Sequence, residues 1–210
     1  MRRTVAGAVL AAAALVAACG ASGPSAKPSS ASQAPVATAP IAIPSVSLPA
    51  SSGRPAASLP AGATTTLDTS LLALLPSSVG GFEVTQEPQS FPQLLTDPAF
   101  VGNVDRAVLP LVVGGEDLAS GVIAHLRPGV FSDAMFSDWR STYDNGACQQ
   151  SANVLAHAQE EKNGRTTYVT TCNGGLRVYH TYVASQGVII SLLSTGPKDF
   201  GGQLMAGIKG

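Results

Sequence analysis

The chain has 210 residues and a net charge of −1, from twelve basic and thirteen acidic side chains, so it lacks the clustered positive charge that nucleic acid requires of a partner. Aromatic residues make up only 5 % of it and charged residues 12 %, and both are unevenly placed: every aromatic lies at Phe82 or later and every acidic residue at Asp68 or later. A packed core is therefore expected only beyond a boundary near residue 67.

The first element is an apolar run from Thr4 to Ala18, preceded by Arg2 and Arg3 and followed by Cys19. Fifteen residues fall short of the ~20 that cross a bilayer as a helix, whereas a basic start, a short apolar run and small residues before a cut describe an export signal over residues 1–18. Val16, Ala17, Ala18 and Cys19 supply an aliphatic residue, two small residues and a cysteine. This segment resembles the lipobox of bacterial lipoproteins, and the Ala-rich, Lys-poor usage suggests a high-GC, actinobacterial source. The resemblance implies a diacylglyceryl group on the Cys19 thiol, further palmitate-type acylation, and cleavage between Ala18 and Cys19. The expected location is extracytoplasmic, at the cell membrane, with lipid rather than a spanning helix as the anchor. Each buried CH₂ of such chains adds about 0.8 kcal/mol of membrane affinity.

Residues 19–66 follow as a linker. From Gly20 to Thr66 the chain is largely Ala, Ser and Pro, with Lys27 and Arg54 as its only charges. Such a composition buries too little surface to offset the entropy of ordering, so disorder is expected. As a coil these residues reach about 35 to 40 Å, and prolines extend that limit. A glycosylated tract or a peptide ligand for another protein are the functional alternatives to a plain stalk.

Residues 67–210 are long enough for one domain. Eight Lys and Arg against thirteen Asp and Glu give it a net charge of −5, which again argues against nucleic acid. Cys148 and Cys172 remain once Cys19 is spent on lipid, and outside the cytoplasm two such thiols read as a disulfide.

Within the domain, Phe82 to Thr85 reads as a first strand, and residues 90–114 give conflicting signals that include a helix cap at Asp97-Pro98. Gly121 to Arg127 reads as a strand ended by Pro128-Gly129. Phe131 to Asp144 places Met135, Phe136, Trp139 and Tyr143 on one helical face, with Asp133, Ser137, Arg140 and Asp144 mostly elsewhere; Ser132 suits the cap. Then Asn163-Gly164 separates Val154–Lys162 from Arg165–Cys172, and Asn173-Gly174 separates the latter from Leu176–Ala184. Asn-Gly between strand-like runs is the strongest short hairpin signal, because both central residues of a type I′ turn need positive φ. Ser185-Gln186-Gly187 leads into Val188–Ser194, completing a four-strand antiparallel meander. In the first hairpin Lys162 should face Arg165, His157 should face Thr170, and Cys172 should face Leu155. Phe200, Leu204 and Ile208 suggest a closing helix that Gly201 and Gly202 weaken. The expected class is α+β, an antiparallel sheet with helices packed on it, broadly similar in element order to the α-β sandwich of PsbP-like extracytoplasmic proteins.

No nucleophile elbow, H-E-x-x-H, P-loop, dinucleotide fingerprint or EF-hand occurs. No catalytic residue, metal or cofactor is therefore expected, the alternative being an enzyme with a dispersed site. His157 and His180 should stand about 10 Å apart along the strands and two strand spacings across, too far to share an ion. Glu116-Asp117 and Glu160-Glu161 read as solvated loop charge. Tyr168, Tyr179, His180 and Tyr182 form the candidate recognition face, since tyrosine offers a rigid apolar body with a hydroxyl. The expectation is non-catalytic binding of an envelope protein or an apolar small molecule.

Overall fold

The computed structural model describes residues 63–87, 89–149 and 153–209; the expected signal peptide, Cys19 and nearly all of the expected linker lie outside them. Short strands come first: β1 (Thr66–Leu67), then after a 3-10 turn at Thr69–Leu74, β2 (Ser78–Val79), β3 (Phe82–Glu83) and β4 (Thr85–Gln86). Two short helices, α1 (Phe91–Leu94) and α2 (Pro98–Asn103), precede β5 (Val104–Val108), β6 (Pro110–Gly114) and β7 (Asp117–Leu126). Helix α3 (Asp133–Gln149) leads to β8 (Val154–Lys162), β9 (Arg165–Cys172), β10 (Arg177–Val183) and β11 (Val188–Thr195), and α4 (Phe200–Ala206) closes the chain. The class is α+β, with a large, mostly antiparallel sheet.

The main sheet runs β1-β5-β7-β11-β10-β9-β8, with β6 on β7 and β4 on β6. All of these pairs are antiparallel except β1 on β5. The four-strand meander forms, and β11 extends it by pairing with β7 along its length. The first hairpin has the expected turn, with φ of 50° at Asn163 and 70° at Gly164. Lys162 faces Arg165 and His157 faces Thr170 as expected, but Cys172 faces Val154 rather than Leu155, because a bulge at Leu155 shifts the register by one residue. The second turn takes three residues, Asn173–Gly175, with the positive φ at Gly174 and Gly175. The segment expected to be a first strand splits into β3, which pairs with β2 in a separate two-stranded sheet, and β4. Earlier in the chain, β1 lies against β5, and the Thr65 hydroxyl donates to the Val104 carbonyl at 2.7 Å.

Strand periodicity divides the sheet between two cores. One face presents Val122, Ala124, Val178, Ile189 and Leu193 to α1, α2 and α3; the other presents Ile123, Val169, Ile190 and Leu192 to α4 and the 3-10 turn. Helix α3 buries Phe136, Trp139 and Tyr143 as its spacing predicts, and Ser132 caps it by accepting from the Met135 amide. Asp144, expected off that face, is also buried. Phe200 and Leu204 in α4, and Ile208 just beyond its end, are all buried. Gly201 and Gly202 are what lets it dock: a Cβ at Gly201 would lie 2.8 Å from Ser194 Cβ and 3.1 Å from the Tyr179 ring. Cys148 and Cys172 form a disulfide with Cα atoms 5.2 Å apart, tying the end of α3 to the end of β9. No helix among the described residues is long and apolar enough to cross a membrane.

Candidate functional site

The four residues of the expected recognition face separate. Tyr168, His180 and Tyr182 project to the α3 side, Tyr179 to the α4 side, and neither Tyr179 nor His180 is exposed. The Tyr179 hydroxyl reaches both oxygens of Asp199, at 2.8 and 2.6 Å, and burial followed by that contact raises its pKa. It is a structural tyrosine holding the N-cap residue of α4.

Tyr168 and Tyr182 instead line an open groove of about 350 Å³ where the start of α3 passes the β9 and β10 ends. Phe131, in the connection before α3, stacks on Tyr182 with ring centroids 3.6 Å apart and planes 8° from parallel. Phe136 meets Tyr168 edge-on at 5.7 Å. The Arg140 guanidinium lies 3.7 Å from the Tyr168 centroid, covering one of its faces. Asp133, Arg165, Thr166 and Ser185 add charge and hydroxyls to this aromatic floor. Helix periodicity supplies Phe136 and Arg140 one turn apart, strand alternation supplies Tyr182 two residues after His180, and the β9–β10 register sets Tyr168 beside them. Phe131 was not singled out, because an aromatic in a connecting loop carries no periodic signal.

Beneath α3, further along the same face, lies a buried polar network. Trp139 Nε1 donates to Ser191 Oγ at 2.9 Å, and Ser191 Oγ is 2.8 Å from His180 Nδ1. His180 Nε2 is 2.9 Å from Asp144 Oδ1, while the Thr170 hydroxyl donates to Asp144 Oδ2 at 2.7 Å. His157 Nδ1 lies 3.0 Å from Thr170 Oγ1. A carboxylate can only accept, which makes Nε2 the protonated ring nitrogen of the neutral imidazole, donating to Asp144, and leaves Nδ1 to accept the Ser191 proton while the indole donates to the same serine oxygen. The Thr170 proton is spent on Asp144, so His157 Nδ1 donates to Thr170. With His180 neutral, every donor is used once and two chains of hydrogen bonds converge on one carboxylate. Burial lowers the His180 pKa, outweighing the pull of Asp144 in the other direction. Burial of the adjacent Tyr143, whose ring meets His180 edge-on at 5.3 Å, raises the tyrosine pKa.

Ser191, His180 and Asp144 are aligned like the triad of a hydrolase, but the ring is reversed: it meets serine through Nδ1 and carboxylate through Nε2. Ser191 and His180 are 0 % exposed, and Trp139 occupies the serine oxygen. The arrangement is a satisfied core network. His180 is thus a fully buried core residue and not part of an exposed recognition face, and it is joined to His157 through Thr170 and Asp144. The available signal was polar residues inside buried runs, Ser191 within Val188–Ser194 above all.

The two carboxylate pairs also differ from expectation. Asp117 is buried and accepts from the Lys198 amide at 2.7 Å, pinning the turn before α4, whereas Glu116 is exposed. Glu160 and Glu161 are solvated, but on strand β8 and not in a loop. Among the described residues no three of His, Cys, Asp and Glu converge as metal ligands. No protein family, curated protein or solved structure matches the chain.

Proposed function

We propose that this chain is a lipid-anchored extracytoplasmic lipoprotein whose domain binds, without catalysis, a small envelope molecule that combines an apolar body with polar groups. The lipobox residues Val16 to Cys19 support the anchor. The observation that carries the binding role is the groove, where the Phe131–Tyr182 stack and Tyr168 lie beside Asp133, Arg165, Thr166 and Ser185. A concave site with a few polar groups set into an aromatic floor favours a small ligand over a flat protein interface, which the burial of Tyr179 and His180 further disfavours. The non-catalytic reading rests on the buried, reversed and fully occupied Ser191–His180–Asp144 alignment.

Native and denaturing mass spectra of full-length protein purified gently from its own membranes test this. The expected result is an added mass that survives native conditions, disappears on denaturation and is absent from Tyr182→Ala. Lipidated protein with no such mass, or a mass that Tyr182→Ala retains, would overturn the assignment to the groove and shift weight to a protein partner.

A further inference from the structure

Strand β8 ends the main sheet, and nearly all of it, residues 155–161, is exposed. Among the described residues no strand pairs with its outer side. A row of open backbone donors and acceptors of this length is a template for another strand.

Which groups point outward follows from the turn. Asn163-Gly164 is a two-residue loop, so Lys162 and Arg165 form a hydrogen-bonded pair. Alternation then turns Glu160, Ala158 and Ala156 inward to β9, and leaves the amides and carbonyls of Glu161, Gln159 and His157 facing out. A second β8 laid antiparallel must match outward residues with outward residues. Centring the two-fold axis on Glu161, Glu160 or His157 puts two glutamates or two histidines opposite each other, and centring it on Ala158 sets Glu161 against the bulged Leu155. Centring it on Gln159 sets His157 opposite the Glu161 of the other copy, twice by symmetry, with Gln159 facing its own copy. Ala156 and Ala158 are small enough for the approach.

We propose that two copies of this chain associate through β8, antiparallel and centred on Gln159, joining their sheets across the two-fold axis. The self-complementary order of His157, Gln159 and Glu161 is what selects a second copy as the occupant. The bulge at Leu155 and the turn at Asn163-Gly164 bound the paired stretch, and a two-fold contact that uses the same edge of both copies closes as a dimer.

Sedimentation of the full chain over rising concentration tests this, with Gln159→Pro as the probe. Proline there removes an outward N–H and leaves the β8–β9 bonds intact. The wild-type chain should dimerise, and Gln159→Pro and Glu161→Lys should each weaken association at least tenfold. Combining His157→Glu with Glu161→Lys should restore it, because a carboxylate again lies opposite a nitrogen donor across the axis. A wild-type chain that stays monomeric to its solubility limit would overturn the proposal, as would a dimer indifferent to both single substitutions. Because the groove is not touched, these outcomes are independent of the ligand reading above.

Discussion

His180 and Asp144 meet in the core with Nε2 and Oδ1 2.9 Å apart, and they are 36 residues apart in sequence. The contact joins α3 to the middle of the sheet. Removing the carboxylate strands the His180 and Thr170 donors in a dry site. Asp144→Ala should therefore destabilise the fold by about 3 kcal/mol, and Asp144→Asn by less, since its oxygen still accepts one bond. Urea unfolding followed by Trp139 fluorescence checks this.

The same network makes stability depend on pH. The folded pKa of His180 lies below its ordinary value because burial disfavours the charged ring. The unfolded chain, titrating near ~6.5, then binds more protons as the medium acidifies. Stability should be full above about pH 6.5 and fall as pH drops below it toward the folded pKa. In His180→Gln that portion of the pH profile should flatten, even though the substitution lowers stability overall. A profile in the variant that parallels the wild type would refute the assignment.

The disulfide closes a loop across the α3–β8–β9 connection, with a sequence separation of 24. In the chain-entropy model its loss should cost about 3 to 3.5 kcal/mol. Double substitution of Cys148 and Cys172 by serine, compared with wild type in guanidinium melts, gives the measurement. Free thiols at both positions in protein recovered from the envelope would contradict the bond in its native setting.

Gly121 on β7 leaves no room for a side chain against β11. A Cβ there would lie 2.0 Å from the Ser191 carbonyl oxygen and 2.8 Å from Leu192 Cα, both backbone atoms that cannot rotate away. Gly121→Ala should force β7 and β11 apart and cost about 1 to 3 kcal/mol, with a lower thermal midpoint than wild type. An unchanged midpoint would refute this reading of the contact.

Cys19→Ala should release or mislocalise the protein, since a single apolar run of fifteen residues is too short to hold it as a helix of ~20. Fractionation of host cells, with the wild type as reference, checks this. Unchanged membrane retention of the variant would refute the lipid anchor.

Much of the fold was legible because its signals are local. Asn163-Gly164 demands positive φ at both residues, which specifies the first hairpin and its register as far as Ala156. The one-residue shift at Leu155 was not legible, because a bulge is decided by what the strand packs against. Likewise the spacing of Phe136, Trp139 and Tyr143 specified a face of α3, but Asp144 sits at its margin. Whether a polar residue there faces water or core depends on a partner, and that partner, His180, is contributed by a strand far along the chain.

The sequence by itself determined the expected export address and the expected division into an Ala/Ser/Pro-rich linker and a folded domain, and it specified the meander and the alternation that sorts its side chains, since each depends on residues a few positions apart. Only the tertiary structure decided that Tyr179 and His180 are buried on opposite faces, that Phe131 stacks on Tyr182 to form a groove, and that Ser191, His180 and Asp144 align without access to solvent. These are contacts between distant elements, set by the balance of desolvation against hydrogen bonding at each site, and no local pattern encodes that balance.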